Sequence, residues 1–157
     1  LADVAAKATA PVGAAFTFLS LATGSLWGKP MWGTWWVWDA RLTSMLILLF
    51  LYIGYMALQG AFDDRARGAK ASAVLALVGA VNLPIIKFSV DWWNTLHQTS
   101  SFMKQGGPSM PPEMWIPAVV MAVAFKTYYV WVLLVRIRQE VTANKVRILR
   151  LKQVNGG

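Results

Sequence analysis

Residues 42–55, Leu-Thr-Ser-Met-Leu-Ile-Leu-Leu-Phe-Leu-Tyr-Ile-Gly-Tyr, decide the fold. With their continuation to about residue 62 they hold no charged side chain, and the apolar residues form a run rather than a stripe. A helix needs about 20 such residues to cross the hydrocarbon core. It is also the economical structure there, because a helix satisfies its own backbone without water. The stretch therefore reads as a membrane span. The whole chain agrees: 57% of its 157 residues are hydrophobic and 14% charged, whereas soluble domains carry about 25% charged residues.

Working outward, three more spans follow. The stretch at about 8–26 is broken by Pro11, Gly13, Gly24 and several Ser/Thr, and its small residues suit close packing against other helices. The stretch at about 71–90 contains Asn82, Pro84 and Lys87, and that at about 114–135 contains Pro117 and Lys126. The expectation is an all-α, polytopic membrane helix bundle with four transmembrane helices in a single membrane domain, 1–157.

The net charge of +8 invites a nucleic-acid reading, but the placement of the charge argues against it. Nine of the fifteen basic residues lie between Arg65 and Lys70 or between Arg136 and Lys152, directly after apolar runs. Such juxtamembrane clusters set topology and touch anionic lipid headgroups. With Lys7, the connector 63–70 and the tail 136–157 place ten Lys/Arg on one side of a four-span chain, against Lys29, Arg41, Lys87 and Lys104 on the other. The basic side is expected to be cytoplasmic. The Trp-rich loop 27–41 and the loop 91–113 then face outward together, and the basic tail 136–157 reads as a short amphipathic helix on the inner surface or as disordered. The absence of cysteine excludes disulfides and thiolate sites within this chain. Leu1 is not a Met and no signal-peptide pattern follows it, so the sequence is expected to start inside a longer protein.

Five of the nine tryptophans (Trp27, Trp32, Trp35, Trp36, Trp38) fall within twelve positions, closed by Asp39 and Arg41. Tryptophan joins a broad apolar face to one N–H donor, which suits the membrane–water boundary. As a short interfacial helix, this loop would place Trp32, Trp35, Trp36 and Asp39 on one side and turn Trp38 elsewhere. Two readings stand: an aromatic platform for a flat apolar ligand, with a carboxylate and Arg41 at its rim, or an interfacial belt that anchors the next helix. Arg41 could pair with Asp39 or face the propionates of an anionic ligand.

The loop at 91–98 reads Asp-Trp-Trp-Asn-Thr-Leu-His-Gln and carries the single histidine, His97. If the third helix continued through it, Trp93 and His97 would share a face, as would Lys87 and Asp91. An imidazole against an aromatic wall at the mouth of a bundle can be an axial ligand of haem iron; the plainer reading is a solvated histidine bonded to a nearby carbonyl. Zinc would need three or four convergent ligands. Met31, Met103, Met110 and Met114 offer adaptable packing or one half of a His/Met axial pair. Lys126 costs about 2.5–3.5 kcal/mol if it sits near mid-membrane, so it calls for a partner, a wet cleft or a subunit contact. Asn82 and Pro84 could line such a cleft or serve as helix-packing glue. No Walker loop, Ser/His/Asp set or paired acids occur, so no enzymatic activity is expected.

The run Trp-Gly-Thr-Trp-Trp-Val-Trp-Asp-Ala-Arg-Leu-Thr at 32–43 resembles the signature of the haem-handling proteins of cytochrome c biogenesis, the CcmC/CcmF/CcsA superfamily with its WWD domain. Gly-Ser-Leu-Trp-Gly-Lys-Pro-Met-Trp at 24–32, Asn-Leu-Pro-Ile-Ile at 82–86 and the 91–98 motif are similar to the CcmC (haem exporter protein C) family, and the resemblance covers nearly the whole chain. It implies a six-span protein of the bacterial inner membrane, of which this chain holds the last four spans. It implies haem b resting on Trp32, Trp35, Trp36, Trp38, Trp92 and Trp93, with His97 as one axial ligand to the iron and the second upstream. Asp39, Arg41 and Lys29 become candidates for propionate or chaperone contacts. The implied role is presentation of haem to the chaperone CcmE in a complex with CcmA, CcmB and CcmD. The alternative is a transport or docking subunit whose Trp loop anchors partners without binding haem.

Overall fold

The computed structural model describes residues 2–97 and 107–155. They form four helices, α1 (Ala2–Trp32), α2 (Ala40–Gly60), α3 (Arg65–Trp92) and α4 (Pro112–Asn155), with no strand among the described residues. All four are long and apolar enough to cross a membrane. The chain is the all-α, multi-pass membrane bundle expected of its apolar runs. Gln98, Met103, Lys104 and Gly106 lie outside the described residues.

The helices pack side by side in the order α3–α2–α1–α4. Small residues let α1 pack closely: Ala8, Ala10 and Ala14 are buried, and at the contact with α2 a Cβ on Gly13 would lie 2.5 Å from the Tyr52 ring. Little apolar driving force acts between helices in lipid, so close approach and interhelical hydrogen bonds carry the association. Asn82 serves as such a bond, its Nδ2 donating to the Ser44 carbonyl across α3 and α2 at 2.8 Å. At the far end of these two helices the turn is tight. Asp64 caps α3 by accepting from Ala66 N–H at 2.8 Å, and Gly68 passes close to the Leu58 carbonyl.

Two helices outrun their apolar runs at the C-terminal end, and α3 starts at Arg65, ahead of the apolar run expected from about 71. The first was expected to end near residue 26, yet α1 continues through Pro30 to Trp32. It stops at Gly33, whose φ of 75° is a left-handed conformation that ends helices and that glycine adopts without strain. Gly33 N–H donates to the Lys29 carbonyl at 3.0 Å, and the Lys29 ammonium caps the Gly33 carbonyl at 3.1 Å. The second is α4, which continues unbroken from its apolar part to Asn155. The separate tail helix, or disordered tail, is thereby corrected: no Gly or Pro occurs between Pro117 and Asn155 to end the helix. At 1.5 Å per residue α4 is about 66 Å long, roughly twice a hydrocarbon core of about 30 Å.

α4 is the edge of the row. It meets α1 through an edge-on pair, Phe16 and Phe125, with centroids 6.1 Å apart. Below that, Arg136 Nε donates to the Ala8 carbonyl at 3.1 Å, and Lys7 pairs with Glu140 at 2.8 Å. Arg65 at the start of α3 donates to Asn144 Oδ1 at 3.0 Å. Lys126 is exposed on α4, with no ion pair among the described residues.

Candidate functional site

The end of the bundle where α1 finishes and α2 begins is built around one carboxylate. Asp39 is the N-cap of α2, extended at φ −91° and ψ 169°, and its Oδ1 accepts from Leu42 N–H at 2.8 Å. Aspartate is a favoured N-cap because its side-chain oxygen satisfies a backbone donor that the helix cannot. The other oxygen, Oδ2, accepts from the Thr95 hydroxyl and lies 2.6 Å from His97 Nδ1. Residues 93–97, which follow α3, are thus fastened to the start of α2. Thr95 also accepts from His97 N–H at 3.1 Å, a Ser/Thr turn that fixes the backbone leading into the histidine.

Asp39 is 5% exposed. Burial pushes its carboxyl up, but the donors from Thr95, Leu42 N–H and His97 outweigh that and hold it below the ordinary aspartate value. The carboxylate is therefore the resident form at neutral pH.

The tryptophans fall into separate groups. Trp32 stands edge-on to the His97 ring, with centroids 4.8 Å apart and planes at 73°. Trp27 stands edge-on to Trp32 at 5.2 Å. Trp36 and Trp38 form a second edge-on pair at 5.6 Å, and Lys29 lies 5.8 Å over the Trp35 ring. Trp92 instead stacks on Phe88 within α3 at 5.5 Å. Trp92 and Trp93 are both largely exposed, and neither joins the rings around His97.

Three expectations about this end are corrected. Residues 33–35 bend and 36–39 are irregular, so Trp32, Trp35, Trp36 and Asp39 do not share a helical face. Gly33 and the extended Asp39 interrupt the helix that their spacing implied. Trp27, Lys29 and Trp32 belong to α1 itself rather than to a loop. Similarly, α3 ends at Trp92, and Trp93 is extended at φ −126° and ψ 147°. Trp93 and His97 are therefore not one helical turn apart. Lys87 and Asp91 do lie on α3, but no ion pair joins them.

Arg41 does not pair with Asp39, whose acceptors are taken by Thr95, His97 and Leu42. Its Nε is buried without a partner among the described residues, as is the indole Nε1 of Trp36. Buried donors of that kind are costly unless something else completes them. His97 Nε2 has no hydrogen-bond partner among the described residues. No group of three or more metal-ligating side chains occurs among them. One imidazole cannot hold a bare ion, but it can supply one axial bond to an iron whose other ligands come from a porphyrin.

Sequence reasoning missed Thr95 and the place of Trp27. The spacing Thr95-x-His97 was a legible signal, since a threonine oxygen commonly accepts the N–H two residues on. Nothing local signalled that the same hydroxyl would reach Asp39.

Fold and site together define a class: a multi-pass membrane protein with one histidine among aromatic side chains at one end of its bundle. The sequence profile of the heme exporter protein C family matches residues 1–152, and the chain belongs to that family. It is 61% identical over 155 residues to a heme exporter protein C of Bradyrhizobium diazoefficiens, covering 99% of this chain and 59% of that protein. With the heme exporter protein C of Escherichia coli K12 it shares 62% identity over 117 residues, 74% of this chain and 46% of the relative. A putative cytochrome c biosynthesis ccmC-like mitochondrial protein of Marchantia polymorpha is 50% identical over 119 residues, 76% of this chain and 49% of its own length. The chain thus spans about half to three fifths of the relatives it matches.

Proposed function

We propose that this protein binds haem b at the tryptophan end of the bundle and presents it for cytochrome c maturation, as a haem-export subunit rather than an enzyme. The observation that carries the reading is the His97 imidazole, anchored through Nδ1 to a buried carboxylate, flanked by Trp32, and with no partner at Nε2 among the described residues. Trp32, Trp35, Trp36 and Trp38 would form an apolar, water-excluding surface for the porphyrin, with Trp92 and Trp93 at the membrane boundary. Arg41 is the better cation for a propionate, because it has no anionic partner among the described residues while the Lys29 ammonium already caps Gly33. The indole N–H of Trp36, buried and without a partner among the described residues, is a further donor for a polar edge of the ligand.

Topology follows from charge. Lys7, Arg65, Arg67, Lys70 and the cations of α4 beyond Arg136 gather at the opposite end. By the positive-inside rule that end is cytoplasmic, and the tryptophan end faces the outer side of the inner membrane. The haem chaperone CcmE would receive haem there, with CcmA, CcmB and CcmD as partners in the membrane complex.

The test is the absorption spectrum of the full-length protein in detergent, supplied with haem, beside His97→Ala at matched folding. The expected result is a Soret band in the wild type that is lost or clearly shifted in the variant. An unchanged band would remove the iron from His97. Absence of binding by the wild type would leave the tryptophans as a docking surface only.

A further inference from the structure

His97 has two ring nitrogens, and the structure treats them differently. Nδ1 lies 2.6 Å from Asp39 Oδ2, while Nε2 has no partner among the described residues. An ionised carboxylate only accepts hydrogen bonds. The nitrogen facing it must therefore be the one that carries the proton in the neutral ring, which leaves Nε2 with a bare lone pair. Asp39 itself is held from two sides, by Leu42 N–H on Oδ1 and by the Thr95 hydroxyl on Oδ2. Rotating the carboxylate away would break the helix cap.

We propose that Asp39 and Thr95 are positioning residues that set the tautomer and direction of His97, making Nε2 the iron-binding atom and strengthening its donation. The proposal rests on the haem reading above and adds to it how the ligand is prepared. A carboxylate on the remote N–H draws the proton toward itself and makes the ring a stronger donor, which favours ferric over ferrous iron. The folded chain thus offers the ligand atom before haem arrives.

Asp39→Asn separates positioning from capping, because asparagine is as good an N-cap as aspartate. With its oxygen kept on Leu42 N–H, the amide nitrogen takes the place of Oδ2 and donates toward Nδ1. Nδ1 must then accept, the proton moves to Nε2, and the ligand atom is blocked. Thr95→Val, which leaves the cap untouched, removes the second support of Oδ2.

The experiment has a haem-free and a haem-loaded arm on the full-length protein in detergent. In the haem-free arm, 15N chemical shifts of the His97 ring, assigned by their absence in His97→Ala, report which nitrogen is protonated. The expected result is Nδ1–H in the wild type and in Thr95→Val, and Nε2–H in Asp39→Asn. In the loaded arm, Asp39→Asn should weaken haem binding about 10–100-fold and raise the reduction potential of the haem that remains, with Thr95→Val shifting both less. A wild type protonated at Nε2, or an Asp39→Asn protein with unchanged tautomer and affinity, would overturn the proposal and leave Asp39 as a helix cap. If His97→Ala keeps its haem while the tautomers behave as expected, the haem reading fails and the positioning geometry stands. Should Asp39→Asn fold poorly, the wild-type tautomer still decides the role of Asp39, and a Thr95→Val protein with wild-type haem affinity and reduction potential would overturn the role of Thr95.

Discussion

Among the described residues two ion pairs join distant parts of the chain, one at each end of the bundle, and by distance alone they look alike. Asp39 and His97 meet at 2.6 Å, and Lys7 and Glu140 meet at 2.8 Å. Each joins parts of the chain far apart in sequence. Their surroundings differ. The side chains of His97 and Asp39 are 19% and 3% exposed, against 36% and 25% for Lys7 and Glu140. Asp39 also accepts from Thr95 and Leu42, so removing its carboxylate strands several donors at once. Lys7 and Glu140 can turn to water instead. The lesson is that a short contact has little value in itself; what matters is how many groups are left unsatisfied when it goes.

The largest effect should therefore come from Asp39→Ala. It deletes the cap of α2 and orphans the Thr95 hydroxyl and His97 Nδ1. The expected loss is about 2–4 kcal/mol of stability in the haem-free protein, from the cap and from buried groups left unpaired. Reversible unfolding in mixed detergent micelles measures it. A loss below about 1 kcal/mol, no more than an exposed pair contributes, would break the contrast between the two ends.

Acid should act on the same tie. The folded carboxyl of Asp39 titrates below its ordinary value of 3.8 because its donors outweigh the cost of burial. Its stabilising contribution is then complete above that ordinary value and is lost as pH falls through the lower folded one. Acid unfolding of the wild type should show this limb, and Asp39→Asn, which has no carboxyl to protonate, should lack it. Identical acid profiles in the two proteins would show that the burial cost cancels the donors after all.

The difference between the ends also explains what could be read in advance. The long apolar run from Leu42 had one physical interpretation, and α2 is where it was expected. The ends of α1 and α4 were misjudged because apolarity marks the span and not the helix. Pro30 did not stop α1, and a charged, breaker-free sequence carried α4 to Asn155. Asp39, His97 and the tryptophans were legible as types of residue in suggestive company. Their pairing was not. Asp39 and Arg41 are neighbours in sequence and invited a local ion pair, whereas the carboxylate found its donors in Thr95 and His97 more than fifty residues away. Local spacing cannot report a bond that exists only after α3 has returned the chain to the same end. The helical spacing read across 32–39 failed for a related reason, since Gly33 took the left-handed conformation that ends α1.

Between the extremes lies Asn82, which is buried but donates a single bond, to the Ser44 carbonyl. Asn82→Leu removes the donor and leaves an acceptor that α2 already uses within its own helix. Interhelical bonds of this kind in membranes average about 0.6 kcal/mol and reach about 1.7. The expected loss is about 1 kcal/mol, read in the same micelle assay. A loss as large as that of Asp39→Ala would mean that burial alone, without a network of donors, sets the scale.

The smallest effect should come from Lys7→Met. The variant keeps most of the length and apolar stem of lysine and removes only the ammonium facing Glu140. Both side chains retain access to solvent, and α4 is still held there by Arg136 on the Ala8 carbonyl and by Arg65 on Asn144. The expected loss is about 0–1 kcal/mol. A double-mutant cycle with Glu140→Gln isolates the pair from whatever each residue does alone. The coupling should shrink further between about 0.15 M and 1 M salt, as the screening length falls from about 8 Å to 3 Å. Asp39→Ala should respond to salt far less, because its lost bonds are buried and short-ranged. A coupling above about 2 kcal/mol that persists at high salt would make the basic end a rigid anchor for α4, equal to the tie at the tryptophan end.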